Sequence, residues 1–240
     1  MPEFEGRVAI VTGGTRGIGR AIAEDLADEG FHLTVTARTE KDVQDVASVL
    51  EKRGQGEILG MAADVRDPEA CEEVVSRTAE RFGGLDLLVN NAGVGKFASV
   101  DEMSLEDWHT QIDTNLNGVF YLSRAAAPEL KKSSDAWIMN IGSLAGRNTF
   151  PGGAAYNASK FGLLGLSEAM MLDLRHDGIR VSLIMPGSVD TSFGDHGEGD
   201  KAGWALTSRD VSRAVLDLLR YPANAHASRI ELRPSQPPKK

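Results

Sequence analysis

RVAIVTGGTRGIGR, residues 7–20, decides how the rest of the chain is read. Arg7 to Val11 is a short apolar run, the signature of a buried strand. From Gly17 to Glu29 the apolar residues Ile18, Ala21, Ile22 and Leu26 recur near helical spacing, and Gly30 closes the segment. Between strand and helix lie Thr12, Gly13, Gly14, Thr15 and Arg16. Such a turn lets the backbone approach a pyrophosphate, and the following helix offers free N–H groups and a positive dipole end. Two well-known phosphate loops do not fit. The G-x-x-x-x-G-K-[ST] loop fails because Arg20-Ala21 follows Gly19, which removes the phosphate lysine and the magnesium hydroxyl. The G-x-G-x-x-G order fails because the glycines are 13, 14, 17 and 19. The order present is T-G-x-x-x-G-x-G, and a phosphate-binding reading competes here with a plain glycine turn.

The alternation continues outward. Strands are expected over 31–37, 57–62, 85–89, 136–141 and 180–185, with a seventh over 228–232. Helices are expected over 40–53, 68–82, 103–130, 155–176 and 208–221. Buried strands alternating with helices predict an α/β chain with a parallel sheet of about seven strands, covered on both faces. With 240 residues, no interdomain linker and no internal repeat, residues 1–240 read as one doubly wound domain. The tail 234–240 is expected to be extended and solvated.

A formal net charge of −9 gives no general attraction for nucleic acid or anionic membrane. No apolar run approaches a membrane span, and MPEFEGRV lacks the features of a signal peptide, so a cytoplasmic location is expected. The one cysteine, Cys71, cannot form an intramolecular disulfide and reads as an inert packing residue on a helix. The histidines are scattered and no Cys/His/carboxylate cluster has ligand spacing, so no metal site is expected. Ser143 sits in GSLAG, which is not the G-x-S-x-G elbow of a hydrolase.

Further motifs follow in order. Asn90-Asn91-Ala92-Gly93 comes after the fourth strand and Asn115 lies in the next helix. Ser143 follows the fifth strand, and Tyr156-x-x-x-Lys160 comes thirteen residues after it. Pro186-Gly187 follows the sixth strand, with Val189 and Thr191 behind. On one helix face, Tyr156 and Lys160 are neighbours. A phenol near pKa ~10 is a poor base, and an adjacent ammonium is expected to lower it. Tyr156 could then exchange a proton with a carbonyl or alcohol oxygen, with Ser143 hydrogen-bonding the same oxygen.

Together these motifs resemble the short-chain dehydrogenase/reductase family, over about residues 6–192. The resemblance implies a Rossmann-like fold, hydride transfer between nicotinamide and a carbonyl or secondary alcohol, and catalytic roles for Asn115, Ser143, Tyr156 and Lys160. It implies that Lys160 also binds the nicotinamide ribose and that Asn115 supports a proton relay through water; Asn115, with Asn117-Gly118 after it, is expected to kink its helix as well. Gly13, Thr15, Arg16, Gly17, Ile18, Gly19, Asn91, Ala92, Gly93, Tyr156, Lys160, Pro186, Gly187, Val189 and Thr191 are then the expected cofactor contacts, with Asp64 and Val65 at the adenine.

The second strand ends Ala37-Arg38-Thr39, where an acidic residue would bind ribose hydroxyls and repel a 2′-phosphate. Arg38, with Thr39 beside it and Arg16 opposite, points instead to NADP. Residues 188–207, SVDTSFGDHGEGDKAGWALT, are expected to cover a small-molecule carbonyl or alcohol substrate. Candidate wall residues are Leu144, Ala145, Phe150, Phe193 and Trp204. A 3-oxoacyl-thioester reductase or a broad ketone reductase fits, although the ending ASRIELRPSQPPKK departs from the first. A homodimer or homotetramer through the helices carrying Asn115 and Tyr156 is expected. The alternative is a nucleotide-sensing regulator without turnover. An epimerase or dehydratase would need a larger C-terminal region.

Overall fold

The computed structural model describes residues 3–193 and 203–238. Seven parallel strands form one sheet in the order β3-β2-β1-β4-β5-β6-β7. They are β1 (Val8–Thr12), β2 (His32–Ala37), β3 (Ile58–Ala62), β4 (Leu87–Asn90), β5 (Ala136–Ile141), β6 (Ile179–Pro186) and β7 (Arg229–Leu232). The helices are α1 (Gly17–Asp28), α2 (Glu40–Leu50), α3 (Pro68–Phe82), α4 (Leu105–Ile112), α5 (Gly118–Leu130), α6 (Ala154–Leu174) and α7 (Ser208–Leu219).

Period-2 alternation in the strands builds two cores. Ala9, Val11, Leu87, Val89, Trp137 and Met139 face one side, against Ile22 and Leu26 of α1 and Val211, Val215 and Leu218 of α7. Val8, Ile10, Leu88, Ala136 and Ile138 face the other, against Val74 and Val75 of α3, Leu122 of α5 and Leu163 of α6. Burial on both faces is why these strands read as unbroken apolar runs. The strand order reverses between β1 and β4. The loops after those two strands therefore part and open a crevice at the carboxyl edge of the sheet, the place where this architecture binds ligands.

Most expected elements fall within a few residues of their bounds. The long helix expected over 103–130 does not form as one helix. Ser104 caps α4, its hydroxyl accepting from Asp107 N at 3.0 Å. α4 then gives way to a π-helical turn, Asp113–Asn117, before α5 resumes at Gly118. Gly118 N donates to Asp113 O, five residues back. Gly118 lies against the chain after β3, where a Cβ would be 2.8 Å from Val65 O, so the helix passes that point only without a side chain. The inserted residue turns Asn115 inward, and a π turn within an α-helix commonly marks a functional position.

Residues 194–202 of the expected substrate-covering stretch 188–207 lie outside the described residues, as do residues 239 and 240 of the tail. The stretch closes at its base, where Leu206 N donates to Ser188 O at 2.9 Å and Asp190 N to Leu206 O at 2.8 Å. Of the tail, Ser235 to Pro238 are exposed as expected, while Pro234 at its start is half-buried near Gly187, where a Cβ would sit 3.2 Å from its Cδ.

Candidate active site

The loop between β1 and α1 is held from the β4 side. Thr12 Oγ1 accepts from Asn91 N at 3.0 Å and from Ala92 N at 2.9 Å. Asn91 Nδ2 donates to Thr12 O at 2.8 Å and Gly13 O at 3.2 Å. Asn91 therefore locks the two loops that flank the crevice. Gly13 has φ +61° and Gly17 φ +53°, a region that L side chains rarely adopt. A Cβ on Gly19 would overlap Asn91 Nδ2 and the Gly13 carbonyl oxygen. Arg16 caps α1 in extended geometry without a side-chain cap, and the first turn carries no acidic residue. The first N–H groups and the helix dipole are left for an outside anion.

This cradle fits a dinucleotide. It supplies a glycine floor, an uncapped helix start and, at its rim, the exposed cations Arg16 and Arg38. Neither arginine forms an ion pair with the described residues. Thr39, also exposed, is the N-cap of α2. Thr15, Ile18 and Gly93 border the same crevice in sequence. Thr191 is buried with its methyl 3.4 Å from where a Gly17 Cβ would be, and Val189 packs on the core beside it. Gly187 N donates to Leu232 O at 2.8 Å, fastening Pro186-Gly187 to β7.

The proton-handling groups converge at the same edge. Ser143 follows β5, and its hydroxyl accepts from Ala145 N at 3.1 Å and lies near the Tyr156 phenol. Lys160, one turn along α6, is buried, and its Nζ donates to Ile141 O at 3.0 Å. That Nζ lies 5.8 Å from the Tyr156 ring centroid. Burial lowers the Lys160 ammonium to about 8. For Tyr156, burial raises the phenol above its usual value and the nearby Ser143 hydroxyl acts the other way. The expected lowering by Lys160 is thus not the dominant effect, because desolvation outweighs a cation already tied to a backbone carbonyl.

Asn115 is buried and both its amide hydrogens are used. It donates to Val94 O at 2.9 Å and Ser159 Oγ at 3.1 Å, and accepts from Val94 N at 2.8 Å. It ties the β4 loop to α6 next to Tyr156, and neither amide hydrogen is left for a proton relay.

Around Tyr156 stands an aromatic wall. Phe97 meets its ring edge-on at 5.6 Å and Phe193 at 5.7 Å, while Phe150 packs on Phe97 at 5.8 Å. Phe150 and Phe193 were expected here from sequence order. Phe97 was not, and the only signal for it is its position four residues beyond Gly93. Ala145 is buried, Leu144 packs toward Gly187, and Trp204 makes no ring contact with this cluster. Arg66, also missed, grips Asp64 through its guanidinium at 2.6 to 3.0 Å. Among the described residues no group of His, Cys, Asp or Glu could hold a metal ion, and no helix is long and apolar enough to cross a membrane.

A Rossmann-type sheet with a glycine cradle beside a Ser-Tyr-Lys cluster defines a dinucleotide-linked oxidoreductase. The short chain dehydrogenase family profile matches residues 7–200. An uncharacterized oxidoreductase of Staphylococcus saprophyticus is 33% identical over 235 residues, covering 98% of this chain and all (100%) of that protein. The 3-oxoacyl-[acyl-carrier-protein] reductase of Escherichia coli is 39% identical over 190 residues, 79% of this chain and 76% of that one. The alcohol dehydrogenase of the archaeon Thermococcus sibiricus, solved with 5-hydroxy-NADP, superposes with a TM-score of 0.91 at 32% identity. That match covers 98% of this chain and 99% of the other. The chain belongs to the short-chain dehydrogenase family.

Proposed function

We propose that this protein is an NADP(H)-dependent reductase of apolar ketones, reversible as a secondary-alcohol dehydrogenase. The observation that carries the reading is the buried Tyr156 phenol beside the Ser143 hydroxyl, with the buried lysine one turn away at the mouth of the glycine cradle. Bound NADPH supplies the hydride. Tyr156 gives the proton to the substrate oxygen, and Ser143 holds that oxygen in register. Near neutral pH Lys160 carries its charge, with a pKa of about 8, and favours the tyrosinate as the proton leaves. Lys160 also faces the ribose, while Gly13 to Gly19, Asn91, Ala92 and Gly93 line the pyrophosphate side. We assign Asn115 to positioning rather than to a side-chain relay, since both its amide hydrogens are spent on Val94 and Ser159.

Arg38, unpaired among the described residues, with Arg16 across the loop, supports NADP over NAD. Structural relatives solved with NADP point the same way. The rings of Phe97, Phe150 and Phe193 support an apolar carbonyl substrate. The nearby cation Arg147 is spent on Glu231 rather than offered to an anionic substrate. Assembly as a homodimer or homotetramer draws support from Leu105, Phe120 and Phe161, large apolar residues left exposed on α4, α5 and α6. A cytoplasmic setting suits a lone buried thiol, Cys71, pushed up to about 12 by burial.

The test is nicotinamide oxidation at 340 nm, with NADPH and NADH compared over aryl ketones, aliphatic ketones, aldehydes and β-ketoacyl thioesters. Turnover with NADPH on apolar ketones is the expected result. NADPH binding without turnover on any carbonyl would replace the enzyme by a nucleotide-sensing regulator.

A further inference from the structure

β2 and β3 lie in parallel register with Ala37 opposite Ala62, and Ala63 N donates to Ala37 O at 2.9 Å. Arg38 and Asp64 therefore leave the two strands side by side at the adenosine end of the crevice. Their charges attract, yet they form no ion pair. Arg66 occupies the Asp64 carboxylate instead. Its Nε donates to Oδ1 and Oδ2 at 3.0 Å each, its Nη2 to Oδ2 at 2.6 Å, and its backbone N to Oδ1 at 3.0 Å. The two side chains keep 39% and 32% of their surface exposed, so this pair adds little to stability. Asp113, at the start of the π turn, adds a second negative charge facing Arg66.

The consequence is electrostatic. A carboxylate freed at position 64 would turn to Arg38, whose charge already acts on it and which forms no ion pair with the described residues. That would spend the phosphate ligand and place an uncompensated negative charge beside the 2′-phosphate. We propose that Arg66 is a specificity-determining residue: by gripping Asp64 it keeps Arg38 available for the 2′-phosphate of the nucleotide. This rests on Arg38 being the phosphate ligand of the NADP reading.

The test is calorimetric titration of the full chain with 2′,5′-ADP and with 5′-AMP, read as the ratio of the two affinities. Any loss of adenine contact at Asp64 affects both ligands and cancels in that ratio. Arg66→Ala is expected to lower the ratio about tenfold, chiefly by weakening 2′,5′-ADP, with melting temperature and circular dichroism unchanged. Adding Asp64→Asn to Arg66→Ala is expected to restore the ratio to within about twofold of the parent. An unchanged ratio in Arg66→Ala overturns the proposal. So does a lowered ratio that Asp64→Asn fails to restore, since Arg66 would then be a direct phosphate ligand. Arg38→Ala separates the underlying reading. If it leaves the parent's ratio unchanged, the Arg38 clamp fails and this proposal with it. If it lowers the ratio while Arg66→Ala does not, only the role of Arg66 is lost.

Discussion

Replacing Lys160 by methionine should make the protein more stable at neutral pH while removing its activity. Burial lowers the ammonium from 10.5 to about 8, a fall of roughly 2.5 pH units. At 1.36 kcal/mol per unit, keeping the charge in the folded chain costs about 3 kcal/mol. The sign follows from proton linkage. Between about pH 8 and 10.5 the unfolded chain holds a proton that the native chain has released, so native stability rises with pH across that window. Below about 8 both states are charged and the full cost is present. By pH ~9.5 the cost has dropped to about 1.4 kcal/mol. Methionine removes the charge at similar length but leaves Ile141 O without its donor, a loss of about 1–3 kcal/mol. The absolute gain is thus small at neutral pH, about 0–2 kcal/mol. The change with pH is the decisive quantity, because the orphaned carbonyl does not titrate. Urea unfolding of parent and variant, both without nucleotide, at pH 7 and pH 9.5 should show the variant's relative stability falling by about 2 kcal/mol. A difference that stays constant between the two pH values would refute a charged, desolvated Lys160.

Three other substitutions probe the remaining parts of the site. Tyr156→Phe should retain NADPH affinity within a few fold and lose about 10²–10⁴ in kcat, measured at 340 nm beside a fluorescence titration; equal turnover would take the phenol out of the mechanism. Arg38→Asp should shift the kcat/KM ratio from NADPH toward NADH, costing about 1.5–3 kcal/mol on the NADPH side, and an unchanged ratio would sink the phosphate clamp. Gly19→Ala should cost about 1–3 kcal/mol in denaturation and abolish detectable dinucleotide binding, since its methyl enters the Asn91 amide and the Gly13 carbonyl. Tight NADPH binding by that variant would show that the two loops are free to move apart.

The parts of this molecule that sequence discloses are those set by local pattern. Strands buried on both faces are continuous apolar runs, and β5 over Ala136–Ile141 coincides with its expected bounds for that reason. α3 begins and ends as read because Asp67 and Pro68 start it and Gly83 closes it in the left-handed region. The glycine order 13, 17, 19 is legible because each position answers a steric demand of the turn or of its neighbour. What sequence conceals is set by contacts between segments far apart in the chain. Asn115 marks a kink within the helical pattern of residues 103–130, but its form as a π turn becomes visible only once Gly118 meets Val65 and Asn115 reaches Val94 and Ser159. The Tyr156–Lys160 spacing suggests a phenol lowered by its neighbour. Only the depth of the site shows that desolvation is the stronger influence on both groups. Asp64 illustrates the same divide. Its place after β3 points to the adenine, but its carboxylate is held by Arg66, two residues on in sequence. Three charged side chains, one acidic and two basic, can share that corner in more than one pairing. The pairing in the fold leaves Arg38 as the free member, and cofactor choice then depends on the geometry of the trio rather than on the presence of an arginine after β2.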